Sequence, residues 1–94
     1  MAAPSWSWKL ALKIYFAYFE PYSYERHQNL VQVSQLSDIC EHRVVGETVD
    51  GRDIDLLVIG DEAKPRKIWV TARQHPGETM AEWCAEGLIE RLLD

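Results

Sequence analysis

The chain is poor in cysteine, with only Cys40 and Cys84 among its 94 residues. Two thiols so far apart make neither a disulfide scaffold nor a cysteine-type zinc site. Both read as buried thiols of a reducing compartment, which points to the cytoplasm. A basic excess is also missing. Ten Lys and Arg against fifteen Asp and Glu leave a formal net charge of -5, so no electrostatic footprint draws the chain toward nucleic acid or an anionic membrane. Long apolar runs are absent too. The opening MAAPSWSWKLALKIYFAYF is broken by Lys9, Lys13 and Glu20 and carries no small-residue cleavage pattern, so it reads as neither a signal peptide nor a membrane span.

What remains is a 47% apolar chain with room for one small domain and a thin core. LKIYFAYF, residues 12–19 from Leu12 to Phe19, is aromatic and β-rich and predicts a strand stopped by Glu20-Pro21. With no local partner, such a strand invites pairing with another domain or self-association. Ser23 then caps a helix expected to run to about Leu36, with Leu30, Val33 and Leu36 facing a core. Asp50-Gly51, set between CEHRVVGETV and RDIDLLVIG, predicts a hairpin in which both turn positions tolerate positive φ. Ile54, Leu56 and Val58 share one face of its returning strand.

After a polar loop containing Pro65, KIWVTA predicts a buried strand and Thr79 opens a second helix. Thr79 and Glu82 fit a capping box. Glu82, Glu86 and Glu90 then line a wet face, leaving Met80, Cys84, Leu88 and Leu92 to pack inward. The expected class is α/β, in the order strand, helix, hairpin, strand, helix. Trp69 and Trp83 are expected in the core, whereas His27 and His42 are expected in solvent.

The chemistry gathers where the KIWVTA strand meets the second helix. In TARQHPGETMAEW, His75 and Glu78 flank Pro76-Gly77, and a rigid bend there could aim an imidazole and a carboxylate at one divalent cation. The helix dipole favours a charged carboxylate at that end. Spacing alone favours a solvated turn over a metal site. Arg73 could contact Glu78 or a substrate carboxylate, or serve as a surface ion-pair partner.

Read whole, the segment resembles the His-x-x-Glu zinc motif of the carboxypeptidase A-like metallocarboxypeptidases. Ala72-Arg73-x-His75-Pro76-Gly77-Glu78 resembles the version found in the cytosolic carboxypeptidase branch and its bacterial relatives. PYSYERHQNL resembles that branch's entry into its first catalytic-domain helix, and VVGETVDGRDIDLLVIGD its opening hairpin. The resemblance covers residues 20–94 as the N-terminal part of the catalytic domain, with residues 1–19 as leader and last strand of a preceding small β domain.

It implies a mixed-sheet α/β hydrolase with one Zn2+, cleaving the C-terminal peptide bond of a peptide or protein by metal-activated water. His75 and Glu78 would be its first two protein ligands and Arg73 a possible substrate contact. The family's third ligand, its general-base glutamate and its carboxylate-clamping arginines lie downstream of the motif, so these 94 residues by themselves are expected to be inactive. A related zinc amidohydrolase acting on acyl-amino acids, and a non-catalytic interaction module, are the alternatives.

Overall fold

The computed structural model describes residues 13–94; residues 1–12, with Trp6, Trp8 and the first position of the expected aromatic strand, lie outside the described residues. Helix α1 spans Tyr24–Ser34, strands β1 and β2 span Cys40–Glu47 and Asp53–Ile59, and helix α2 spans Thr79–Leu93. The two strands form an antiparallel pair, and both helices meet through a mostly polar seam.

Helix α1 starts as its sequence dictates. Ser23 sits outside the helix in an extended conformation, and its hydroxyl accepts the Arg26 N–H at 3.1 Å, satisfying one donor of the first turn. Its buried face differs from the expected one. Val31 and Ser34 are buried, while Val33 and Leu36 are 55% and 82% exposed. Three-residue steps advance only about 300° around a helix, so Leu30, Val33 and Leu36 drift off one face, whereas His27, Val31 and Ser34 stay together.

The hairpin forms where Asp50-Gly51 places it, but its loop is longer than a two-residue turn. Thr48 N–H donates to the Arg52 carbonyl at 2.7 Å and Gly51 N–H to the Thr48 carbonyl at 2.9 Å. Gly51 alone of the pair takes positive φ, at 78°. This is a type I turn closed by a left-handed glycine, a three-residue connection rather than a primed turn. A register irregularity between Val44 and Gly46 leaves Val45 as the extra residue. His42 is paired with Leu57 and Val44 with Asp55, so His42 and Asp55 share one face, opposite Ile54, Leu56 and Val58.

Two expected strands do not appear among the described residues. Residues 13–19 and the KIWVTA stretch carry no strand pairing, and Ile68, Trp69 and Val70 are 91%, 77% and 60% exposed. Both stretches have strand-forming composition, but a strand exists only as one member of a ladder, and no described segment offers its backbone to either. Trp69 is therefore a surface residue here. Trp83 does pack, its ring meeting Tyr22 edge-on at 5.0 Å and 83°.

Helix α2 is turned the other way from its expected orientation. Glu82 and Glu86 have side chains only 14% and 12% exposed and face α1, whereas Met80, Leu88 and Leu92 are 43%, 40% and 51% exposed and Cys84 is exposed. Cys40 is half-buried, so neither thiol is a core residue; burial still pushes the Cys40 thiol up. Cationic partners on α1 and on the preceding loop decide the rotation. The capping box is absent as well: Glu78 holds the N-cap position, the Thr79 hydroxyl is buried without a partner, and the Glu82 carboxylate is engaged elsewhere.

Candidate metal centre

His75 and Glu78 come together at the start of α2. The His75 Nδ1 lies 2.7 Å from Glu78 Oε2, and the same oxygen accepts the His75 backbone N–H at 3.0 Å. The turn is closed by Glu78 N–H donating to the His75 carbonyl at 3.1 Å. Pro76 and Gly77 form the bend between them, so imidazole and carboxylate converge from a single short loop. Both are accessible, with side chains 79% and 46% exposed.

As a donor set the pair fits zinc as part of a site. An imidazole nitrogen and a carboxylate oxygen are ordinary zinc ligands, but a structural or catalytic site needs at least three from protein. Among the described residues no group of three His, Cys, Asp or Glu is placed to hold a metal. The chain's other two histidines are already committed.

Their commitment is the feature that the sequence did not disclose. His27 is not solvated: its Nδ1 is 2.8 Å from Glu82 Oε1 and its Nε2 2.6 Å from Asp55 Oδ2. His42 Nε2 reaches the other Asp55 oxygen at 2.6 Å. The second Glu82 oxygen accepts from Arg73 at 2.8 Å. A continuous polar chain thus joins the hairpin, α1, α2 and, through Arg73, the His75–Glu78 turn. Burial opposes ionisation of Asp55, but hydrogen bonds and charge from His27 and His42 outweigh it and hold the carboxyl below its ordinary value. An aspartate inside the apolar strand DIDLLVI was the one available signal, since a carboxylate at an aliphatic position needs a partner.

Arg73 belongs to this chain. Its Nε and one terminal nitrogen donate to the Pro76 carbonyl at 3.2 and 3.0 Å, and its other terminal nitrogen donates to the Tyr22 carbonyl and to Glu82, each at 2.8 Å. The guanidinium is turned into the protein.

Beside it, Glu86 accepts from Arg26 and from the Tyr22 hydroxyl, the latter at 3.3 Å. Burial, then the charges of Glu86 and Glu82, push the Tyr22 phenol up to about 12. Arg26 lies over the Trp83 ring at 4.2 Å, closing the seam.

Helix α1, the hairpin and α2, with His75 and Glu78 on the turn just ahead of α2, stand in the order expected for the start of a zinc α/β hydrolase domain. Residues 27–94 match the model of the zinc carboxypeptidase family, and the chain belongs to that family. It is 33% identical over 86 residues to human cytosolic carboxypeptidase 6, a match covering 83% of this chain and 17% of that protein. Among solved structures, a Pseudomonas aeruginosa metallo-carboxypeptidase in complex with (2-guanidinoethylmercapto)succinic acid is 54% identical with a TM-score of 0.75, over 82% of this chain and 21% of that one. A Shewanella denitrificans protein described as a carboxypeptidase A is 55% identical with a TM-score of 0.78, over 82% and 21%. The chain spans about a fifth of the length of these relatives. No described helix is long and apolar enough to cross a membrane.

Proposed function

We propose that His75 and Glu78 are two protein ligands of the zinc in a carboxypeptidase that hydrolyses the C-terminal peptide bond of peptide or protein substrates in the cytoplasm. The observation that carries this reading is the 2.7 Å approach of His75 Nδ1 to Glu78 Oε2 on one closed turn at the N-terminus of α2. Zinc would supply Lewis acidity toward a peptide carbonyl and a water of lowered pKa. The residues of this chain present the imidazole and the carboxylate from one closed turn at the start of α2. Residues 20–94 would form the N-terminal part of the catalytic domain, and residues 1–19 the end of a preceding β domain.

The family match over residues 27–94 supports a peptidase over an acyl-amino-acid amidohydrolase. With His27 and His42 held by Asp55, the 94 residues alone offer no free histidine as a third ligand beside His75 and Glu78, and they are expected to release no C-terminal amino acid. Elemental analysis and a zinc titration test the ligand assignment: the weak zinc uptake that two protein ligands allow should be lost in both His75→Ala and Glu78→Ala. Undiminished zinc in either variant overturns it, and peptide hydrolysis by the 94-residue chain that is lost in His75→Ala overturns the expected inactivity.

A second reading, a module that self-associates through its aromatic segment, is favoured by Phe16 and Tyr18, 93% and 100% exposed. A metal-free, well-folded oligomer in light scattering would select it.

A further inference from the structure

The side chain of Arg73 lies beside the candidate ligands yet touches neither of them. Its own backbone takes φ 55°, and it is the single non-glycine residue with positive φ among those described. A β-carbon makes that conformation unfavourable by about 1 kcal/mol, so it persists only where surrounding contacts over-determine it. Those contacts are visible. Through the Pro76 carbonyl, Arg73 grips the bend between His75 and Glu78; through the Tyr22 carbonyl it grips the entry to α1; through Glu82 it grips the first turn of α2. Glu82 is itself fixed from the far side by His27, which is fixed by Asp55. The side chain is 26% exposed, so these hydrogen bonds form partly out of water, where they are stronger.

We propose that Arg73 is a positioning residue: its guanidinium locks the His75–Glu78 turn against α1 and α2 and thereby presets the two ligands for metal, in place of the substrate contact its sequence position suggested. The assignment rests on the reading of His75 and Glu78 as zinc ligands. The fork geometry is required, because the guanidinium reaches the Pro76 carbonyl from one edge and the Tyr22 carbonyl and Glu82 from a separate nitrogen, whereas the three donors of an ammonium all radiate from one point. Partners that orient metal ligands from outside the coordination sphere are typically worth about 10- to 100-fold in affinity.

Two measurements on Arg73→Lys and Arg73→Ala, beside wild type and His75→Ala, test this. The first needs no metal: amide hydrogen exchange at the His75 and Glu78 N–H groups should accelerate at least tenfold in both Arg73 variants, while the Gly51 and Arg52 amides of the hairpin stay unchanged. The second is zinc affinity by chelator competition, with the visible spectrum of a cobalt substitute reporting coordination geometry. The expected result is a loss of about 10- to 100-fold for Arg73→Ala, with Arg73→Lys recovering only a minor part. Unchanged exchange at the turn overturns the proposal, and so does acceleration spread equally over the hairpin, which would mark a merely structural loss. Wild-type zinc affinity in both Arg73 variants, together with lost affinity in His75→Ala, overturns it while leaving the ligand assignment intact. Zinc affinity unaffected by His75→Ala instead removes the ligand assignment itself.

Discussion

His42 Nε2 meets Asp55 Oδ1 at 2.6 Å across the hairpin, two residues off its directly paired position. The other Asp55 oxygen is taken by His27 of α1, so one carboxylate joins the sheet to the helix packed on it. Its folded pKa lies below its ordinary 3.8, and the unfolded chain therefore binds the proton first. The stability it contributes is complete above 3.8 and is lost as pH falls through the lower folded value. Thermal melts from about pH 7 down to about pH 2 should show the midpoint dropping mainly below about pH 4. Asp55→Asn should lower stability at neutral pH by about 1–3 kcal/mol and flatten that acid dependence. An unaltered acid limb in the variant would place the linkage elsewhere.

The local signals in the sequence were reliable where one residue's chemistry settles the matter. Ser23 has a hydroxyl to accept the Arg26 N–H, Gly51 can take φ 78°, and Pro76-Gly77 bends His75 toward Glu78; none of these needs a distant partner. The orientation of α2 was not legible, because Glu82 and Glu86 look solvated until Arg73, His27 and Arg26 arrive from segments about fifty or more residues away or from across a loop. KIWVTA fails for the same reason in reverse: its composition specifies half of a ladder, and pairing specifies the rest.

Tyr22, just ahead of α1, packs edge-on against Trp83 of α2, with Tyr22 3% exposed. The Tyr22 phenol is held up to about 12, so its contribution is fully present below 10 and fades as pH rises toward 12. Titrating phenolate absorbance should show one of the four tyrosines ionising late, and Tyr22→Phe should remove that late step. Trp83→Ala should cost about 3 kcal/mol in urea unfolding, far more than the about 1 kcal/mol expected for losing the Tyr22 hydroxyl.

The hairpin turn offers a test of backbone against packing. A β-carbon on Gly51 would meet no atom within 4 Å, so any cost of Gly51→Ala comes from its φ of 78° alone. About 1 kcal/mol of destabilisation is expected. Gly77 also has open space but no left-handed φ, and Gly77→Ala should be neutral or stabilise by up to about 1 kcal/mol through the unfolded chain. Equal losses at both positions would show that a steric clash, rather than φ, governs the turn.

Two Arg–Glu forks of similar geometry should differ sharply in worth. Arg43 holds Glu62 at 2.9 and 2.6 Å on the outer side of the hairpin, and Arg26 holds Glu86 at 3.2 and 2.9 Å between the helices. The first has the shorter bonds, and they depress the Glu62 carboxyl and raise the Arg43 guanidinium. Yet Glu62 is 53% exposed and water screens its charge, whereas Glu86 is 12% exposed and also receives the Tyr22 hydroxyl. Glu62→Ala should leave the denaturant midpoint unmoved. Glu86→Ala strands the Tyr22 hydroxyl and loosens Arg26 from the Trp83 face, so a loss of about 1–3 kcal/mol is expected at low and moderate salt alike. If the exposed pair proved the more costly, bond length would outrank burial in this chain, and the polar seam between α1 and α2 could not be what holds the helices together.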